Sequence, residues 1–475
     1  MIIKKTLENT KRLLKRHNQS HLLAFWDRLK TVQKQNLLTQ IEELDFSKID
    51  NWVAEYIKNP ASAAVASGFK PAPSYSPVPS SREQERKYAR AAELGRELIS
   101  AGKVAAFVVA GGQGTRLGFD APKGNFPISP VKNKTLFQIF AESIAAVSER
   151  YQAVCPWYIM TSPLNHTETI KIFRSNDYYG LHGKDVFIFQ QGTLPNFSFD
   201  GKILMADYAD IACSPDGHGG SLKALYKSGT LEDMRKRGIE FISYWQVDNP
   251  LVHIFDPLFI GLHALDGAEM SSKAVLKTGP KERVGNFCLV DGRVKVIEYS
   301  DWSDEPAEKR NPDGSLVFRL GSIAIHIISR SFVEKLNSKG FSLPLHKAVK
   351  KIPYIDQQGN TVQPTEPNGI KLESFVFDAL PFASKSVILQ TLRSQEFAPT
   401  KNATGVDSVE ATKRMMVARA ADWLESAGLA TPRRSDGSLD CLIEIAPSFA
   451  LQKDDIKAKL NQISKIKPKD KLYLA

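Results

Sequence analysis

The chain has 475 residues, too many for one hydrophobic core, so two or three domains are expected. Its 42% hydrophobic and 24% charged residues match ordinary soluble globular proteins, and no run approaches the roughly eighteen apolar residues of a membrane span. The formal charge of +11 raises the question of a polyanionic partner, but no aromatic-interleaved basic stripe or helix-turn-helix pattern supports nucleic-acid binding; a solvated basic surface is the preferred reading.

Charged residues from Lys4 to Arg16 interrupt any signal-peptide core, and a cytoplasmic location is expected. Residues 1 to about 60 read as helical, with Leu22, Phe25, Trp26 and Leu29, then Leu37, Leu38, Ile41 and Leu44, at helical spacing. KPAPSYSPVPSS, from Lys70 to Ser81, breaks regular structure and reads as a linker or an extended wrap. A helix over EQERKYARAAELGRELISAG leads to the apolar run KVAAFVVA. Strand-like WYIMTS, VFIFQQ, FISYWQVDN and AVLKT then alternate with helical stretches, including one near Thr167 to Arg174. That alternation predicts an α/β domain with a largely parallel sheet. A helix over TKRMMVARAADWLESAGL and a small mixed appendage close the chain. The division expected is 1–81, 82–400 and 401–475. Cys155, Cys213, Cys288 and Cys441 are scattered without a CxxC pair, which disfavours zinc and disulfides and fits four reduced core thiols.

VVAGGQGTRLGFDAPKGNFP, beginning at Val108, carries the chemistry. The dinucleotide pattern GxGxxG fails because its third position is Leu117, and GxxxxGK[ST] has no match here. What remains is a glycine loop whose amides can approach phosphate, with Arg116 and Lys123 adding a fork and a point charge. That suits a transition state in which charge builds on phosphate oxygens.

GGQGTRLG with PKG resembles the signature of nucleotide-sugar pyrophosphorylases of the eukaryotic UDP-N-acetylglucosamine type. FQQGTLPNFSFDGKI, SPDGHGGSLKAL, YWQVDNPLV, VGNFCLVDGRVKVIEYSD, KKIPYIDQQG, PNGIKLESFVFDAL and FAPTKNA match family blocks in order, from about residue 85 to 405. The resemblance implies a glycosyltransferase-A-like nucleotidyltransferase fold with a mixed, mostly parallel sheet. It also implies the reaction of UTP with a sugar 1-phosphate to give UDP-sugar and pyrophosphate. Gly111, Gly112, Gly114, Thr115 and Arg116 would hold the triphosphate, and Lys123 would stabilise the reacting phosphates. Gln191 and Gly217 resemble uracil-reading positions, Asp248 the position associated with Mg²⁺, and Lys371 and Lys401 phosphate-contacting lysines. Gly285 and Glu298 match sugar-facing positions. Taken singly, these could be turn, cap or solvated residues; His253 and His326 read as packing or surface residues.

Two departures concern the sugar. His218 stands where the family commonly has Asn in PDGNGG, and GSIAIH offers Ser322 where it commonly has Asn. Both asparagines face the sugar, and GHG is similar to the block of UDP-glucose pyrophosphorylases, so the reading leans to glucose 1-phosphate. The alternative is N-acetylglucosamine 1-phosphate. A non-catalytic UDP-sugar-binding protein is a further class, against which Arg116 and Lys123 count. Oligomeric state is left open between monomer and dimer.

Overall fold

Buried apolar runs and amphipathic helices alternate along the larger of two units, which comprises Ala66–Gln191, Ser221–Ser342 and Ala379–Ala475. Met1–Val65, Gly192–Gly220 and Leu343–Asp378 form the smaller unit. The computed structural model describes residues 2–58, 68–302, 304–338 and 340–475. This division follows packing, whereas the three-part division above follows composition along the chain.

The larger unit starts with α1 (Arg82–Ser100), whose Ser81 cap accepts the Gln84 amide. Next come β1 (Val104–Val109), α2 (Leu136–Tyr151), β2 (Trp157–Thr161), α3 (His166–Ser175) and β3 (Val186–Gln190). After them come β4 (Phe241–Gln246), α4 (Pro257–Leu265), β5 (Met270–Leu276), β6 (Asn286–Val290), β7 (Arg293–Ile297), β8 (Leu320–Ser329), β9 (Ser386–Gln390) and α5 (Val409–Ser426). These strands and the short Lys70–Pro71 strand form a ten-stranded mixed sheet. Its heart is parallel, with β4, β1, β2 and β3 side by side, and β1 is a nearly continuous buried run, as a strand covered on both faces should be. β8 pairs antiparallel with both β4 and β5, and β5 pairs in parallel with β9. The path β1–β2–β3 moves outward in one direction, then β4 appears on the other side of β1. That reversal opens a crevice at the C-terminal ends of β1 and β4, where ligands bind in open α/β sheets.

The run AVLKT is only the end of β5, which begins at Met270. Ser271, Ser272 and Lys273 hid the rest, because they are polar yet buried. Ser271 Oγ lies 2.7 Å from His263 Nδ1 and Ser272 Oγ 2.9 Å from His326 Nδ1. α1 and α4 cross with their backbones touching: a Cβ at Gly95 would lie 1.9 Å from the Pro257 carbonyl oxygen, and one at Gly261 1.6 Å from that of Ala91. The Pro/Ser-rich segment runs extended on the sheet, Lys70–Pro71 pairing with β6 and Tyr75 bridging Leu389. Near the C-terminus, Leu442–Ile445 and Lys471–Leu474 pair in parallel over a separate apolar cluster with Leu424, Phe449 and Ile456.

In the smaller unit, helices Ile2–Arg16, Thr31–Glu42 and Phe46–Trp52 bury Leu14, Leu37, Ile41 and Ile49 against Phe197, Ile370 and Leu372. Its sheet orders His346–Lys350, Gly369–Glu373 and Phe197–Ser198. Leu22, Phe25, Trp26 and Leu29 do not share one α-helix. Asn18 turns left-handed (φ 56°), and only the short 3-10 turns Ser20–Leu23 and Trp26–Arg28 follow. The thiols also need one correction: Cys155, Cys288 and Cys441 are buried, but Cys213 is exposed. Among the described residues, no helix is long and apolar enough to cross a membrane.

Candidate active site

The glycine loop leaves the C-terminal end of β1 and closes on itself. Gly114 N donates to Ala121 O at 2.9 Å and Lys123 N to Gly112 O at 3.1 Å. Its floor is polar: Ser162 Oγ donates to Gly111 O at 2.8 Å, and Asn165 Nδ2 donates to Ala110 O at 2.9 Å and Gly112 O at 3.2 Å. These bonds spend the carbonyls inward. Gly111 also meets Gln191, whose Oε1 would lie 2.8 Å from a Cβ there, and Gly114 is held close to Phe119 in the same way. Gly112 has open space where its side chain would be, and Thr115 and Arg116 are exposed. Neither the Arg116 guanidinium nor the half-buried Lys123 ammonium makes a hydrogen bond or ion pair among the described residues. Two uncommitted cations on a strand-end glycine loop can attract a polyanion and offset charge growing on phosphate oxygens.

Asp248 lies two residues beyond β4, next to the loop's origin, because Gln246 pairs with Val109 and Val247 N donates to Val109 O. Thr400 N donates to Asp248 O at 2.8 Å, which brings the adjacent Lys401 to the same strand end. The Lys401 ammonium stands 3.6 Å from Asp407 Oδ2. The Asp248 carboxylate is half-buried and makes no hydrogen bond or ion pair among the described residues. It fits a Mg²⁺ ligand, a hard oxygen donor left free in a crevice that would supply phosphate and water oxygens.

Gly285, Glu298 and Ser322 also come together. Ser322 N donates to Gly285 O at 2.8 Å, and a Cβ at Gly285 would lie 3.3 Å from Glu298 Oε1. β8 bulges just beyond Ser322, with Ala324 left-handed (φ 54°), a strain that re-aims the strand there.

In the smaller unit, Gly217 (φ 86°) has no room for a side chain, since a Cβ would meet Ser374 O at 2.3 Å. Gly219 N donates to Ser374 O and Ser374 N to Asp216 O, each at 2.8 Å. This joins the Gly217–His218 turn to the segment that carries Lys371, whose ammonium pairs with Glu373 at 3.0 Å. His218 is committed to packing. Its Nδ1 accepts the Val376 amide at 3.0 Å, and its ring stacks on Phe375 with centroids 5.1 Å apart. Burial, with His346 nearby, pulls its pKa down to about 4, so the ring is the neutral acceptor that this bond requires.

Ser162 and Asn165, which floor the loop, escaped sequence reasoning because they lie outside the family blocks, Ser162 at the end of the strand-like run WYIMTS. His253 sits beside Asp256 and Glu396, their ligand atoms within 4.8 Å of one another, and both carboxylates are paired with the Lys273 ammonium. A cavity of about 310 Å³ adjoins this trio, with Arg419, Trp423 and Ile443 also in its wall, but the glycine loop takes no part in it.

A parallel-centred α/β sheet with a cationic glycine loop and a free carboxylate at its switch point defines a nucleotidyltransferase-type enzyme. Residues 73–475 match the family described as UTP–glucose-1-phosphate uridylyltransferase, and the chain belongs to that family. It is a uridylyltransferase, forming a UDP-sugar from UTP and a sugar 1-phosphate. The UDP-N-acetylhexosamine pyrophosphorylase-like protein 1 of Xenopus tropicalis is 40% identical over 439 residues, covering 89% of this chain and 85% of that protein. The UDP-N-acetylglucosamine pyrophosphorylase of Saccharomyces cerevisiae is 36% identical, covering 89% and 92%. The crystal structure of the Trypanosoma brucei uridine diphosphate N-acetylglucosamine pyrophosphorylase in complex with inhibitor has a TM-score of 0.82 and 27% identity, covering 99% and 98%. The lean to glucose 1-phosphate is therefore not supported. It rested on His218 and Ser322, and the His218 imidazole is spent on Phe375 and Val376.

Proposed function

We propose that the sugar substrate is N-acetylglucosamine 1-phosphate and that the reaction uses Mg²⁺. The observation that carries the sugar is the likeness, at 36–40% identity over 89% of the chain, to proteins named for N-acetylated hexosamines. The sugar phosphate is already ionised near neutral pH, so no dedicated base is needed. Its oxygen bonds to the α-phosphorus of UTP while the bond from that phosphorus to the bridging oxygen breaks, and pyrophosphate leaves.

On the larger unit, Gly111, Gly112, Gly114 and Thr115 hold the triphosphate, and Arg116 and Lys123 offset charge as it moves to the leaving group. Gln191 reads uracil, Lys401 contacts phosphate, and Gly285, Glu298 and Ser322 meet sugar hydroxyls. On the smaller unit, Gly217 and Lys371 keep the roles the resemblance implies, uracil reading and phosphate contact. Asp248 would hold Mg²⁺, which supplies charge neutralisation on phosphate oxygens when bound.

The test is pyrophosphate release from UTP and Mg²⁺ with glucose, galactose, N-acetylglucosamine or N-acetylgalactosamine 1-phosphate. The highest kcat/KM is expected for N-acetylglucosamine 1-phosphate. A higher value for glucose 1-phosphate would overturn the assignment.

A further inference from the structure

Lys273 is 1% exposed in the middle of β5, where an ammonium is costly unless paired. It donates to Asp256 Oδ2 at 2.6 Å and to Glu396 Oε1 and Oε2 at 2.5 and 2.6 Å. Arg419 completes the charge balance: its Nη1 donates to Leu251 O at 2.9 Å and Gln395 O at 3.2 Å. Replacing buried ions by an apolar cluster of the same shape is often neutral or stabilising in proteins, so stability alone is a weak reason for these ions.

A stronger reason lies in what they join. Segments 248–256 and 395–401 are tied at successive points from the buried ions out to the crevice. His253 N donates to Glu396 Oε1 at 3.3 Å. Asn249 Nδ2 donates to Glu396 O at 2.7 Å, and Asn249 Oδ1 accepts Ala398 N at 3.1 Å. The last tie is Thr400 N to Asp248 O, beside Lys401. A shift of Glu396 would therefore pass through Asn249 to both crevice residues.

We propose that Glu396, held by Lys273 and acting through Asn249, is the positioning residue that keeps Asp248 and Lys401 in register for uridylyl transfer. The inference rests on the uridylyl-transfer reading and on the roles proposed for those two residues. A misplacement of order 1 Å is enough to slow a positioned reaction by about a hundredfold.

The test compares Glu396→Gln, the apolar pair Lys273→Met/Glu396→Met, and wild type for kcat per folded molecule, half-saturating Mg²⁺ and Tm. Both variants are expected to lose at least about tenfold in kcat and to need several-fold more Mg²⁺, even where Tm is retained. Asn249→Ala leaves the ions intact and reads the same link where the ion variants do not fold. A folded variant with wild-type kcat and Mg²⁺ requirement would make the cluster purely structural and overturn the proposal. Wild-type protein that releases no pyrophosphate with any of the four sugar phosphates would instead sink the reaction reading.

Discussion

Gly111 and Gln191 touch: the space where a Gly111 side chain would begin lies 2.8 Å from Gln191 Oε1. The position proposed to hold triphosphate and the one proposed to read uracil thus share a steric boundary. Gly111→Ala must push Gln191 away or move the loop. The expected outcome is a rise of about tenfold in KM for UTP, with Tm lowered by only a few degrees. Steady-state kinetics and a melting curve check it.

The Lys123 ammonium makes no hydrogen bond or ion pair among the described residues, so its removal should leave the fold intact. Lys123→Ala is expected to lower kcat by about a hundredfold to a thousandfold, as lost transition-state charge stabilisation does. Unchanged turnover in a pyrophosphate assay would take Lys123 out of the mechanism.

Asp248→Asn keeps the shape and weakens a hard anionic ligand. Half-saturating Mg²⁺ should rise at least about tenfold while Tm is unchanged, and chelation of the metal should abolish wild-type turnover. A titration of activity against Mg²⁺ decides it.

His218→Asn removes the stack on Phe375 but leaves an amide oxygen, in about the place of Nδ1, that can still accept Val376 N. A loss of about 1–2 kcal/mol in stability is expected, with little change in the ratio of kcat/KM between sugars. A switch of sugar preference would return His218 to the sugar pocket.

Acid should weaken the fold before the carboxylates titrate. His263 is fully buried between Ser271 Oγ and Ser329 Oγ, at 2.7 and 2.9 Å, and burial lowers its pKa from 6.5 to about 3. The unfolded chain takes up a proton below pH 6.5 that the fold refuses, so the stability present above 6.5 is lost as pH falls toward the folded value. The full loss is on the order of a few kcal/mol. His218 acts in the same direction. Melting temperatures between pH 6.5 and 5 should fall, and His263→Gln should flatten that slope.

Strand-and-helix alternation and the glycine loop were legible because short apolar runs and glycine punctuation are local signals. β5 was read short because its polar residues are satisfied by partners on other elements, His263 on α4, His326 on β8 and the distant Glu396. The same limit hid the ion cluster: Asp256, Lys273 and Glu396 each look like a surface charge until the fold brings them within bonding distance. Leu22, Phe25 and Leu29 show the converse, since correct burial came from 3-10 turns rather than from the helix their spacing suggested. The lean to glucose read His218 from its place in GHG, without its neighbours Phe375 and Val376 in view.

The crossing of α1 and α4 has no clearance. A single methyl group at Gly261 would strike the Ala91 carbonyl and prise α4 outward, and α4 begins one residue after Asp256. Damage there would travel along the helix as along a lever, arriving in the crevice as sluggish turnover. Variation at these two glycines should therefore be penalised as severely as variation in the loop proposed to hold the triphosphate, although neither glycine belongs to it.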